Sequence, residues 1–254
     1  MPWVFLPVSA LLAFAGGKLG SGVEFRILGR LEALEHGQRL ALGGAKQRAV
    51  LAILLLHRRE AVSIDRLVDE LWGERPPPTA AQTIRVYVSR LRKVLGDRVV
   101  ETHGRGYLLV VDPDQIDADR FEALVADGRA ALESGDATAA VEVFDGALRL
   151  WRGAPLEEFA YEPFAHAEIA RLQDARLATL EDRTDAELRV GRGAELVPEL
   201  ERLVAEHPLR ERLIAGLMLA LYRAGAPCGR ARGVPSGARA DGRGARPRAR
   251  AGAT

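Results

Sequence analysis

Cysteine is almost absent: Cys228 is the single thiol in 254 residues. One thiol excludes an internal disulfide framework and a multi-cysteine zinc site, and it points to a reducing compartment. Long apolar runs are missing as well. The first 22 residues carry only the short stretches Val4–Leu6 and Ala10–Ala15, with Pro7 between them. That is too short for a bilayer, and no basic residue precedes it as in a secretion signal, so no membrane association is expected. With 48% hydrophobic and 28% charged residues, the chain reads as globular material of two ordinary domains, with the cytoplasm as its expected location.

A strong net charge is also lacking, but the formal value of +1 hides its distribution. Residues 1–22 carry +1. Val23–Asp112 has 15 basic against 11 acidic residues, +4. Pro113–Gly225 has 13 against 23, −10, and Ala226–Thr254 has seven arginines and one aspartate, +6. Such asymmetry implies modules with different partners. The flanks stand apart. A strand pattern begins at Val23, so residues 1–22 are expected to be a leader preceding the authentic start, with a GTG codon at position 23 initiating translation. Residues 226–254 hold eight Ala, seven Arg, six Gly and three Pro. Without large apolar residues this tail is expected to be disordered. It is either a basic arm for nucleic acid or RNA polymerase, or an out-of-frame translation of GC-rich DNA.

Within 23–112, Glu24–Leu28, Arg30–Leu34 and Gln38–Leu42 read as strands, with a His36–Gly37 turn. Lys46–Arg58 is a core-facing helix through Val50, Leu51, Leu54 and Leu55. Ser63 caps a second helix over Ile64–Leu71, and Trp72–Pro78 breaks it. Thr79 is the expected cap of a third helix running to Leu95, with Ile84, Val88, Leu91 and Leu95 inward. Gln82, Arg85, Val86, Ser89, Arg90 and Lys93 lie off that stripe, and no acid falls between Arg85 and Lys93. One apolar side and one basic, amide-bearing side suit the DNA major groove, although a basic face alone is commonly just solvated. Strands Val99–Thr102 and Tyr107–Val111 flank the turn His103–Gly104–Arg105–Gly106. The Gly43–Gly44–Ala45–Lys46 run lacks the spacing of a phosphate loop and reads as a turn into a helix.

Four segments occur in order: Leu42–Gly43–Gly44–Ala45–Lys46–Gln47–Arg48; Leu71–Trp72–Gly73–Glu74 with Pro78; Thr83–Gly96; and Gly104–Arg105–Gly106–Tyr107. Together they closely resemble the DNA-binding domain of the Streptomyces antibiotic regulatory protein family, a variant of the OmpR-type winged helix. The resemblance implies base-facing roles for Thr83, Arg85, Val86 and Arg90. It implies phosphate-facing roles for Gln82, Tyr87, Ser89, Arg92 and Lys93, with His103 and Arg105 at the wing. Trp72, Gly73, Glu74 and Arg75 match a loop that in such regulators touches RNA polymerase. Tyr87 and Tyr107 have simple packing as the alternative role.

From Asp117 on, the chain reads as five helices. Gly135–Ala140, Phe144 and Ala147–Leu148 resemble a tetratricopeptide repeat, in which small residues stand where helices touch. Asp119–Arg120–Phe121 and Leu150–Leu156 resemble the bacterial transcriptional activation domain of the same family. In that family the chain continues with another helix after the segment matching Leu221–Gly225, so Leu209–Ala224 is expected to expose an apolar face here.

The expected fold is an α+β winged helix (N-terminal strands, three helices, C-terminal hairpin) over residues 23–112. An all-α tetratricopeptide-like helical domain follows over 113–225. Its expected function is sequence-specific activation of transcription, implied by the resemblance for a secondary-metabolite gene cluster. The implied partners are double-stranded DNA with direct repeats in a promoter, RNA polymerase and a second copy of the chain as a homodimer on DNA. The alternatives are an interaction scaffold and a fragment of a larger multidomain regulator. His36, His57, His103, His166 and His207 are scattered, so no metal, no cofactor and no enzymatic activity are expected.

Overall fold

The computed structural model describes residues 22–225. The segment expected to be a leader, apart from Gly22, and the Arg/Gly/Ala tail therefore lie outside the described residues. The fold is the expected winged helix followed by helices, and it forms two compact units divided between Arg192 and Gly193.

The first unit opens with an antiparallel meander of β1 (Val23–Arg26), β2 (Glu32–Glu35) and β3 (Gln38–Arg39), with Phe25 opposite Ala33. His36 and Gly37 both have positive φ, +52° and +78°, the requirement of a tight two-residue hairpin turn. β1 stops earlier than its apolar pattern suggests. The N–H groups of Ile27 and Leu28 donate instead to the Asp117 carboxylate, at 2.7 and 3.0 Å. β2 starts later because the Gly29 backbone, at φ +153°, lies against Arg152.

Three helices follow: α1 (Ala45–Leu56), α2 (Ile64–Trp72) and α3 (Ala80–Leu95). A second sheet, in the order β4-β6-β5, joins β4 (Val62–Ser63), β5 (Val100–His103) and β6 (Gly106–Leu109). Ser63 caps α2 as expected, its hydroxyl accepting from the Arg66 N–H at 3.1 Å. Thr79 makes no such side-chain cap on α3. Its carbonyl accepts from the Thr83 N–H and also from the Thr83 hydroxyl.

α1 is buried nearly all round, with Ala49 through Leu55 inaccessible, rather than along one stripe. A helix with apolar residues on every side must be covered on every side, and here both blocks of the chain cover it. α4 (Asp117–Glu133), α5 (Ala137–Leu148) and the 28-residue α6 (Pro163–Val190) complete the unit, and α1 packs directly on α6. α4 and α5 pack closely because Gly128 gives room to the Phe144 ring, which a Cβ at that position would strike. Asp136 caps α5 by accepting from the Ala139 N–H.

One hydrophobic core runs from Phe25, Leu51 and Ile84 to Ile116, Phe121, Leu156 and Leu172, across the change in composition near residue 113. Polar contacts secure the same seam. Arg48 donates to both Glu158 oxygens and to the Leu31 carbonyl. Arg58 forms a two-pronged pair with Asp119. Arg152 donates from its backbone to the Leu28 carbonyl and pairs with Glu32 at 3.0 Å. The connection itself is pinned: Ile116 bridges Phe25 in parallel, and Gln115 donates to the Val23 carbonyl.

The second unit is a helix pair, α7 (Gly193–Glu206) and α8 (Glu211–Arg223). Leu213, Leu217 and Ala220 of α8 are buried. Met218, Leu219 and Tyr222 are exposed, as is Leu209 before the helix; this is the apolar face expected from the sequence. Among the described residues no helix is long and apolar enough to cross a membrane.

Candidate nucleic-acid interface

α3 carries the site. Three prolines, Pro76–Pro78, deny the preceding segment a helical path, and the Ala80 N–H turns back to the Pro77 carbonyl. Ala80, Ile84, Val88, Leu91 and Leu95 are buried, so the spacing read from the sequence is the packing stripe. Gly96 ends the helix at φ +97°. Opposite the stripe, Gln82, Arg85, Val86, Ser89, Arg90 and Lys93 are exposed on one side of the helix.

The remaining candidates turn toward the protein. The Thr83 hydroxyl donates to the Thr79 carbonyl at 2.9 Å. Tyr87 is half-buried against the core, in keeping with the packing alternative. Arg92, expected near a phosphate, is drawn inward. Its Nε donates to the Val100 carbonyl at 2.7 Å, its Nη2 to the Thr102 hydroxyl at 2.9 Å, and its guanidinium lies over the Tyr107 ring. Arg92 thus joins the end of α3 to the β5–β6 hairpin because the helix terminus packs on β5, and it acts as a positioning residue.

Both glycines of the wing are needed. Gly104 has φ +57°, a left-handed conformation that side chains resist. A Cβ on Gly106 would run into the Val62 carbonyl of β4. Arg105 between them is exposed, while its carbonyl accepts from the Ile64 N–H at the start of α2. The wing is therefore tied to the helix pair behind it. His103 is exposed at the end of β5.

Trp72 is half-buried with Lys46 over its ring, and the Lys46 ammonium donates to the Leu71 carbonyl. Gly73, at φ +58°, closes α2, which leaves Glu74 and Arg75 exposed. The motif Gly43–Arg48 has a structural role. A Cβ on Gly43 would strike the buried Gln47 side chain, Lys46 holds the Trp72 corner, and Arg48 reaches Glu158. These positioning roles were missed from sequence; the only signal was an ordered run of polar residues at the start of an otherwise apolar helix.

The exposed face of α3 is basic and carries no carboxylate of its own. Arg48, Arg58, Arg129, Arg152 and Arg171 all hold carboxylates. Arg85, Arg90, Lys93 and Arg105 have no acidic partner among the described residues; Arg85 contacts only the Gln82 amide, at 3.3 Å. Cations left unpaired in a chain this rich in carboxylates suit an external anion. The described residues contain no group of three His, Cys, Asp or Glu side chains that could hold a metal ion.

Two family models match in sequence order. "Transcriptional regulatory protein, C terminal" covers residues 37–109, and "Bacterial transcriptional activator domain" covers residues 116–228. The chain is 38% identical to the regulatory protein DnrI of Streptomyces peucetius, over 80% of this chain and 79% of DnrI. It is 41% identical to the regulatory protein AfsR of Streptomyces coelicolor over 80% of this chain, but it spans only 20% of AfsR. Among solved structures, Mycobacterium tuberculosis EmbR in complex with a low-affinity phosphopeptide superposes with a TM-score of 0.77 at 33% identity. That match covers 80% of this chain and 55% of EmbR.

Proposed function

Since the chain belongs to the Streptomyces antibiotic regulatory protein family of transcriptional regulators, we propose that it is a sequence-specific DNA-binding activator, probing the major groove with α3 and the adjacent backbone or minor groove with the wing. The observation that carries this reading is the exposed face of α3, where Arg85, Arg90 and Lys93 lack carboxylate partners. An arginine bonds guanine O6 and N7 with two parallel donors, and a glutamine pairs likewise with adenine. Arg85, Val86 and Arg90, with Thr83 at the edge, face bases. Gln82, Ser89 and Lys93 lie toward the phosphates, and Arg105 reaches the backbone or the minor groove.

Residues 23–112 form the DNA-reading module and 113–225 the protein-contact module. Two copies occupy direct repeats about 10–10.5 bp apart, which places them on one side of the duplex. Glu74 and Arg75, held out by the Trp72 corner, contact RNA polymerase in the cytoplasm, and the promoter served is that of a secondary-metabolite cluster. No catalytic step belongs to this function.

A footprint on a promoter fragment tests it. Arg90→Ala is expected to weaken specific binding about tenfold or more and to relax the protected sequence, with no change in melting temperature. An unchanged footprint overturns the groove assignment. Retention on DNA that is absent or insensitive to salt overturns DNA binding itself and favours the scaffold, because phosphate contacts make affinity fall steeply with salt.

A further inference from the structure

We propose that the outer face of α8 pairs two copies of this chain, helix against antiparallel helix, in a contact that forms without DNA. Four of the seven exposed large hydrophobic residues among the described residues, Leu209, Met218, Leu219 and Tyr222, lie in this helix or just before it. Its inner side, with Leu213, Leu217 and Ala220 buried, packs on α7. The outer side carries Glu211, Ala215, Met218 and Tyr222, all exposed, at spacings of 4, 3 and 4 residues. Such spacing keeps to one line along a helix and is the seam by which two helices pack. A solvated helix face is charged or polar along that line; here only the first member is charged. Residues 226–254 contain no Leu, Ile, Met, Phe, Tyr or Trp, so they supply no large apolar side chain to cover the seam.

The seam is complementary to itself. Set antiparallel against a second copy, Ala215 lies opposite Met218 and Met218 opposite Ala215, so a small residue receives a large one at both central positions. At each end Glu211 then meets Tyr222 of the second copy, a carboxylate acceptor beside a phenolic donor. Every member of the line has a fitting counterpart, and one patch serves both copies, as a two-fold contact requires. A parallel arrangement would instead bring Glu211 against Glu211 and leave Ala215 facing Ala215. One helix from each copy makes a small interface of the transient class, so dissociation in the micromolar range is expected. Copies on direct repeats, as proposed above, are related by translation along the duplex. The two-fold α8 pair is therefore a separate contact, and it does not depend on the reading of DNA by α3.

Sedimentation velocity on the full chain tests this, without DNA and over a range of concentrations. A reducing agent keeps Cys228 from linking copies. The wild type is expected to pass from monomer to dimer and to stop there. Met218→Glu and Ala215→Lys each place a charge in the seam and should weaken dimerisation about tenfold or more. Their melting temperatures should match the wild type, because both positions are exposed. An equimolar mixture of the two variants is expected to recover the dimer, since the antiparallel register sets the new carboxylate against the new ammonium. A wild type that stays monomeric, a dimer that survives both substitutions, or a mixture that fails to pair overturns the proposal. So does association that grows past the dimer, the mark of a merely adhesive face. A monomeric wild type that loses RNA polymerase binding on Met218→Glu gives the face to that partner instead. None of these outcomes touches the DNA reading by α3, which the promoter footprint tests separately.

Discussion

Two arginines near the end of α3 sit only two residues apart and have opposite surroundings. Arg90 is exposed, while Arg92 spends its donors on Val100 and Thr102. Arg92→Ala is therefore expected to lower stability by about 1–2 kcal/mol, the range for lost hydrogen bonds of this kind. It should weaken DNA binding only through the displaced hairpin, which calorimetric melting beside the binding assay would separate. Lysine cannot reproduce the pair of directed bonds, so Arg92→Lys should resemble the alanine variant. Asp117 carries a pH signature. Burial raises its pKa, opposed by the Ile27 and Leu28 N–H donors and by Arg152. A carboxyl raised in the folded state holds its proton more tightly there. Its contribution to stability therefore falls as pH rises from the unfolded value to the folded one, and is flat above. Asp117→Asn removes that decline. Urea titrations from pH 4 to 6 should show a stability slope more positive in the variant than in the wild type. An unchanged slope would mean that Asp117 does not titrate there. The exposed side chains of α3 were legible from spacing alone. The inward turn of Arg92 was not, because it depends on a strand eight residues later.

Elements were legible where periodicity was long and caps were local. The stripe of α3, the Ser63 cap and the His36–Gly37 turn all follow from neighbours in sequence. The two-residue β4 was invisible, being defined by the approach of Gly106 rather than by any pattern of its own. Gly106→Ala should accordingly break the β4–β6 pairing, because the obstructing atom is backbone and cannot swing aside. The expected cost is about 2–3 kcal/mol, read as a lower urea midpoint, with weaker DNA binding through the wing. The all-round burial of α1 escaped detection for a related reason. Its second cover comes from α6, more than a hundred residues on, and no local window contains that partner.

For the molecule as a whole, the change of charge near residue 113 marks a division of composition but not of packing. Arg58 and Asp119 face each other across it, with side chains 13% and 7% exposed. Removing either partner leaves a largely buried charge alone, so Arg58→Ala or Asp119→Ala should cost roughly 3–5 kcal/mol, and the double variant less than the sum. A fragment of residues 23–112 loses Ile116, Phe121, Leu156 and Leu172 from its core, and is expected to show no cooperative thermal transition. The pinned connection through Gln115 and Ile116 has a mechanical corollary. With no hinge among the described residues between the winged-helix fold and α4–α6, the first unit is a stiff body, and on a promoter as proposed it would act as a ruler. On the proposed direct repeats, one extra base pair shifts a neighbouring copy by about 3.4 Å and rotates it by roughly 35°. Nothing between the winged helix and α6 can flex to absorb either change, so promoter activity should fall sharply with single-base changes in repeat spacing.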